Sequence, residues 1–343
     1  MISLLSFVIL IACLFCLPLV LSGPYHIHTL ILTMINVVLA SSLRLINLSG
    51  QMSLAHGGMM TIGAYTSTLL VMKLGLSSWA ALPLAGLAAA FVASLVGFPF
   101  VRLKGIYFSI VTIFFSEMVV LTAQQWQGLT GGSTGIFNIP RPNPIDIPRI
   151  LTIAFSSKGD FYYLALVLML ISLLILYAVE NSRIGLTFQG IQQTDSLAES
   201  VGINTIGYKV LAFSIGSFFA GITGGFYSHY ISAISPDAFS FLFTIYILVY
   251  MTVGGEKRFI GPILGAVVLT LLPEFLRPLK AFVPFFFAAV LIAVIFFMPE
   301  GMAGLPERTK RGIEKLLKRK TIPPTPTLPL KGGGRGRRRP EPP

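Results

Sequence analysis

Charge is what this sequence has least of. Lys and Arg number 25 and Asp and Glu 13 among 343 residues, 11% of the chain, where a soluble domain carries about 25%. So few charges cannot coat a water-soluble globule of this size. With 54% hydrophobic residues and a mean hydropathy of +0.81, the apolar surface is satisfied by lipid. Cysteine is nearly absent, so no disulfide framework is implied. Cys13 and Cys16 have the spacing of a redox or metal pair, but both sit in one apolar segment with no polar surroundings and no second pair. They read as small apolar side chains. No G-x-x-x-x-G-K-[ST] loop occurs, so the chain is not expected to bind and hydrolyse ATP by itself. No H-E-x-x-H or zinc-type cluster occurs either. The histidines, His26, His28, His56 and His229, are scattered. The expectation is a protein that is not an enzyme and holds no metal or cofactor.

What is present is a series of apolar segments. A spanning helix needs about 20 mainly apolar residues, because unsatisfied backbone groups are too costly in hydrocarbon. Candidates are 2–22, 27–48, 54–72, 79–101, 106–123, 161–179, 208–230, 239–254, 259–276 and 281–298. They predict an all-α, polytopic transmembrane helical bundle of about ten segments over residues 1–300, followed by a basic tail, 301–343. The stretches near 50–60 and 239–254 are short or rich in glycine and polar residues, and are expected as broken or re-entrant elements. The first segment lacks a basic n-region and a small-x-small cleavage site, so it reads as a span rather than a signal peptide.

Loops on the cytoplasmic side carry an excess of Lys and Arg. The last 45 residues hold 12 of them against four Glu, which places the tail inside. Counting back, Lys257 and Arg258, Arg183 and Lys209, Arg102 and Lys104, and Arg44 fall inside as well. Both termini are then cytoplasmic, although Lys73, Arg277 and Lys280 fall outside. The outer loop 124–160 is the longest. It holds Gly131, Gly132 and Gly135, then Pro140, Pro142, Pro144 and Pro148, so it is irregular and placed to cap a pore. The tail from about 321 is low in complexity and is expected to be disordered. Beside a membrane, its basic runs suit anionic lipid better than nucleic acid.

Three segments carry candidate chemistry. In Asn47 to Gly58, polar residues and glycines interrupt an apolar stretch, and such backbone is tolerated at membrane depth only where protein or a water cavity satisfies it. Gln51, Ser53 and His56 are candidates for a substrate path; a packing interface is the other reading. Glu117 lies inside a span, where a carboxylate is costly and faces a partner or a cavity. It is a fourth path candidate, or else a structural acceptor. The inner loop 180–207 has Ile191, Leu197, Ala198 and Val201 near helical spacing, with Asp195 and Glu199 four apart. This predicts a short amphipathic helix at the cytoplasmic surface. The turn Val253 to Ala266 faintly echoes Gly50 to Ala64, as an internal duplication would.

Taken in order, several motifs resemble those of the branched-chain amino acid ABC importer permeases of the LivM type. They are Gly50-Gln51-Met52-Ser53-Leu54-Ala55-His56-Gly57 with Ile62-Gly63-Ala64-Tyr65, and Arg102 to Thr112. Glu117, Leu129-Thr130-Gly131-Gly132 and Gly135-Ile136 follow, then Ser182-Arg183-Ile184-Gly185 through Ala198-Glu199-Ser200-Val201-Gly202-Ile203-Asn204. The set closes with Tyr227 to Tyr230, Ile234-Ser235-Pro236 and Gly261 to Ala266. The resemblance covers roughly residues 27–300. It implies a translocation path for branched-chain amino acids in a bacterial inner membrane, a sister permease subunit and two cytoplasmic ATPase subunits that bind the ATP. It also implies an extracytoplasmic substrate-binding protein. The 182–204 loop resembles the family's ATPase coupling loop, with Arg183, Gly185, Asp195, Ala198, Glu199 and Gly202 as its residues. The chain departs from the pattern at Gln192 and Gln193, at Met118-Val119-Val120, where relatives place an arginine after the glutamate, at Glu256-Lys257-Arg258, and in the tail. An ion-coupled secondary transporter of a small polar metabolite, and a permease for short amides or urea, stand as alternatives.

Overall fold

A computed structural model describes residues 14–18, 23–147, 151–153, 155, 157–276 and 301–304, with isolated positions between 282 and 292. The expected spans 2–22 and 281–298 therefore lie largely outside the described residues, as does the tail beyond Gly304. The other eight expected spans each coincide with a helix. These are α1 Pro24–Asn47, α2 His56–Leu74, α3 Ser78–Phe100, α4 Ile106–Gln125, α5 Lys158–Glu180, α8 Thr205–Ile231, α9 Phe241–Gly254 and α10 Ile260–Phe275. Two short helices, α6 Arg183–Gln193 and α7 Asp195–Ser200, stand between α5 and α8. By length and hydropathy, α1, α3, α4, α5, α8 and the stretch Pro236–Gly254 that contains α9 are able to cross a membrane. The chain is a multi-pass membrane protein. Strands are confined to connections: β1 Ile136–Phe137 pairs with β4 Ala233–Ile234, and β2 Ile145–Ile147 with β3 Leu151–Ile153, both antiparallel.

Lipid supplies no hydrophobic drive between helices, so close contact depends on small side chains. The central helix α8 packs most extensively against α3 and α2, and also against α1. A Cβ on Gly221 would sit 2.6 Å from the Ala89 methyl and 2.7 Å from the Ala85 carbonyl oxygen. Gly63 of α2 meets the Gly221 backbone closely, and Gly224 meets the backbone of Met60. The glycines of α8 thus act as the seat for two neighbouring helices.

Contacts at the helix ends fix two ends of the bundle. At one end, Lys158 at the start of α5 reaches the Pro24 carbonyl at the start of α1, and His28 bonds Tyr230 near the end of α8 at 2.6 Å. Gln124 near the end of α4 donates to Asp237 at 2.7 Å. The β1–β4 pair ties the loop after α4 to the turn after α8 at this end. At the other end lie the last turns of α1, α5 and α9 and the helices α6 and α7.

Of the two segments expected to be broken or re-entrant, the one near 50–60 is interrupted, whereas 241–254 is one continuous helix. Residues 51–55 run without helix between α1 and α2, and a 3-10 turn, Pro236–Phe239, precedes α9. The inner loop differs from its expectation. Thr194 is extended (φ −159°, ψ 107°) and divides it into two helices. The Thr194 side chain bonds the Gln193 carbonyl at 2.6 Å, a local bond of the kind that competes with helix.

Candidate functional site: a broken span and the end that carries α6 and α7

Helix α2 begins at buried His56 and has no side-chain cap of its own. Its first N–H groups have no partner within the helix. At membrane depth, each would cost several kcal/mol if left unpaired. Hydroxyls from other helices satisfy those of Gly57 and Gly58, and that of Leu54 just before the helix. Leu54 N–H donates to Thr112 of α4 at 3.0 Å, Gly58 N–H to Ser116 of α4 at 2.7 Å, and Gly57 N–H to Thr244 of α9 at 3.2 Å. The two glycines make this possible, because a Cβ on Gly58 would lie 2.7 Å from the Ser116 Cα. The Ser42 hydroxyl donates to the Leu39 carbonyl, so it accepts from His56 Nε2 at 3.0 Å.

The entry to α2 is therefore held jointly by α1, α4 and α9. Ser116 and Thr244 went unmarked in the sequence, and Thr112 entered only as the end of a motif, because a lone hydroxyl inside an apolar helix is ordinary. Two adjacent glycines at a helix start were the available signal. Replacing Ser116 with Ala should orphan the Gly58 N–H and lower stability by about 1–2 kcal/mol. Thermal unfolding of the purified protein in detergent would register this, and an unchanged midpoint would count against the capping role.

The four path candidates do not converge. Gln51, Ser53 and His56 are all enclosed by the chain's own packing. Gln51 Nε2 donates to the Val101 carbonyl at 3.4 Å, and its buried Oε1 has no partner among the described residues. Ser53 Oγ accepts from Ala55 N–H at 3.2 Å. These three hold the broken segment. Glu117 is elsewhere, half-buried on the outward face of α4. It lines an open groove of about 650 Å³ with Phe114, Met118, Leu121, Thr122, Gln125 and Trp126.

At the other end, the six coupling-loop candidates separate into two kinds. Arg183, Glu199 and Gly202 are exposed, whereas Gly185 and Ala198 are buried and Asp195 half-buried. Gly185 packs directly on the Glu180 backbone, where a side chain would collide. Gly202 has φ +84°, a left-handed turn that glycine adopts at little cost,. The two carboxylates face the bundle: Asp195 pairs with Lys209 of α8 at 2.6 Å, and Glu199 accepts from Thr205 at 2.8 Å. They tether α7 to α8. Phe188 and Ile191 seat α6 from beneath. Left exposed are Leu186, Leu197 and Val201, at 64%, 66% and 70%. Leu197 and Val201 lie one helical turn apart, so they share a face. The spacing that predicted one amphipathic helix is divided by the break at Thr194: Ile191 and Ala198 point in, while Leu197 and Val201 point out.

A buried ion pair lies just beneath. Arg44, 3% exposed in the last turn of α1, grips both carboxylate oxygens of Glu180 at the end of α5. Its Nε donates to the Glu256 carbonyl at 2.7 Å in the turn between α9 and α10. Sequence reading used Arg44 only to assign sidedness. An arginine one turn before a polar break, inside an otherwise uncharged span, was the signal for more.

A family model described as "Branched-chain amino acid transport system / permease component" matches residues 25–299. The chain is 30% identical over 298 residues to the high-affinity branched-chain amino acid transport system permease protein LivM of Escherichia coli K12, covering 82% of this chain and 70% of that protein. The LivM protein of Salmonella typhimurium LT2 matches with the same identity and coverage. No solved structure matches. A bundle of apolar helices with a broken second helix, and a polar end that presents three exposed aliphatic side chains, is what these matches cover; the chain belongs to the permease components of the branched-chain amino acid transport system.

Proposed function

We propose that the chain forms one half of the translocation path of an ATP-driven importer for leucine, isoleucine and valine in a bacterial plasma membrane. The end that carries α6 and α7 faces the cytoplasm. The observation that carries this reading is the trio Leu186, Leu197 and Val201. These aliphatic side chains stand in water on two short helices clamped to the bundle by Asp195–Lys209, Glu199–Thr205 and the Gly185 contact. A rigid aliphatic knob suits a hydrophobic groove on a partner. The partner is the ATPase subunit, one for each of two permease chains, and a substrate-binding protein docks on the opposite end.

A sister permease chain closes the groove at Glu117. Among the described residues, Glu117 makes no hydrogen bond or ion pair, and Phe114, Met118 and Leu121 beside it are exposed. A carboxylate at this depth does not face acyl chains, so this side of α4 faces the path and the second chain. Glu117→Gln should lower uptake about tenfold, the weight of one charge-assisted contact of about 1.5 kcal/mol, with ATPase recovery unchanged. Wild-type uptake by that variant would remove Glu117 from the path.

Reconstitution tests the function as a whole. Vesicles that hold both permeases and the ATPases, with ATP inside and the binding protein outside, should accumulate labelled leucine. Omitting ATP, the ATPases or the binding protein should abolish accumulation. Accumulation driven by an ion gradient without the ATPases would establish a secondary transporter instead. Screening amino acids, amides and urea for thermal stabilisation of the binding protein tests the substrate class.

A further inference from the structure

A side-chain hydrogen-bonded link runs from α6 through the end of α1 to the turn between α9 and α10. The Gln192 side chain of α6 donates to the backbone carbonyl of Asn47 at 3.0 Å. Asn47 is the last residue of α1, and its own Nδ2 donates to the Glu256 carboxylate at 2.7 Å, in the turn that joins α9 to α10. That turn is narrow: Gly254 packs on the Gly261 backbone, and Gly301 packs on Gly255. Arg258 fastens it further by donating to the Ala303 carbonyl at 3.0 Å. Movement of the turn therefore moves α9 as a body. Thr244 of α9 in turn holds the Gly57 N–H at the start of α2.

The path runs from α6 through Asn47 and Glu256 into α9, and from Thr244 into the broken entry of α2. Arg44, three residues before Asn47, pins α1 to α5 and to the carbonyls of the same turn. It fixes the base about which Asn47 acts. Glu256 is itself exposed, so its carboxylate is not needed to cover apolar surface. Asn47 is its hydrogen-bonded partner.

We infer that Asn47 is a positioning residue for transport, joining the ATPase-contacting helix α6 to the α9–α10 turn so that movement at the motor reaches the broken start of α2. The inference rests on the ATP-driven reading above. Coupling between distant sites is a free energy carried by an element that both sites bias. Here that element is the pair formed by the last residue of α1 and the Glu256 carboxylate.

The experiment uses the complete reconstituted importer with Asn47→Ala, Glu256→Ala and both together. Neither change strands a buried charge. Recovery of the ATPase with the permease and the rate of ATP hydrolysis should stay at wild-type values. Leucine accumulated per ATP hydrolysed should fall about fivefold or more. The double variant should fall no further than the worse single one, because both changes cut the same link. Unchanged uptake per ATP in both single variants overturns the inference. A loss of uptake matched by a loss of folded permease or of ATPase recovery also overturns it, because the residues are then structural only. Wild-type importer that accumulates leucine without ATP would refute the ATP-driven reading, whatever the variants do.

Discussion

Changing Leu197 and Val201 together to Asp should separate this permease from its ATPase while leaving it folded. Both side chains are exposed, so their replacement removes no packing within the isolated chain. Seated in a groove, each would contribute about 1.5–3 kcal/mol by leaving water. Losing both contributions, and placing carboxylates in an apolar groove, weakens association by at least about 100-fold. The ATPase should disappear from affinity-purified permease while thermal unfolding of the permease stays at its wild-type midpoint. Uptake should fall with it. Asp195→Asn makes an informative contrast. It loosens α7 from Lys209 without altering the exposed face, so it should reduce ATPase recovery only in part. Full ATPase recovery by the double Asp variant would show that the motor binds elsewhere.

The second large effect concerns the ion pair beneath. Arg44→Met leaves the Glu180 carboxylate nearly enclosed with no counter-charge, and strands the carbonyls of Glu256 and Lys257 that Arg44 serves. Breaking one side of a buried pair costs about 3–5 kcal/mol, whereas replacing both partners by apolar groups of similar volume is often nearly neutral. Arg44→Met alone should therefore unfold or fail to accumulate, and Arg44→Met with Glu180→Met should recover most of the loss. Membrane yield and thermal midpoint of the singles and the double give the cycle. Equal stability of the Arg44 single variant and wild type would show that water screens the pair despite its burial.

Much of the architecture was legible because lipid imposes one rule on every span: a long apolar run without charge. Segments such as 79–101 and 161–179 follow it and coincide with α3 and α5. The broken segment was legible for the opposite reason, since Gly50 to Gly58 violates the rule. The arrangement of the site was much harder to read. Gln51, Ser53 and His56 stood out as polar, yet polarity alone does not tell whether a side chain faces a path or a neighbouring helix. All three face neighbours. The hydroxyls that hold this segment, Ser42 on His56 and Thr112, Ser116 and Thr244 on the backbone of Leu54, Gly58 and Gly57, come from positions far apart in the chain, and no local pattern joins them. In the inner loop, helical spacing from Ile191 to Val201 was real but was interrupted at Thr194, and of the four residues that carried it Ile191 and Ala198 are buried while Leu197 and Val201 are exposed. Asp195 and Glu199 drew notice by lying four residues apart, and the fold uses them to hold α7 in place.

The short β1–β4 pair at the opposite end has a consequence for biogenesis. Ile136 must find Ile234, and between them in the chain lie α5, α6, α7 and α8. A growing polypeptide completes α1 to α4 and the first strand long before the mate of that strand is synthesised. Closure of so large a ring is delayed until α8 has been threaded. The loop after α4 therefore waits with an open strand edge, and its docking marks a late step in maturation. A chain truncated before α8 should leave that loop open to added protease, and completion of α8 should close it.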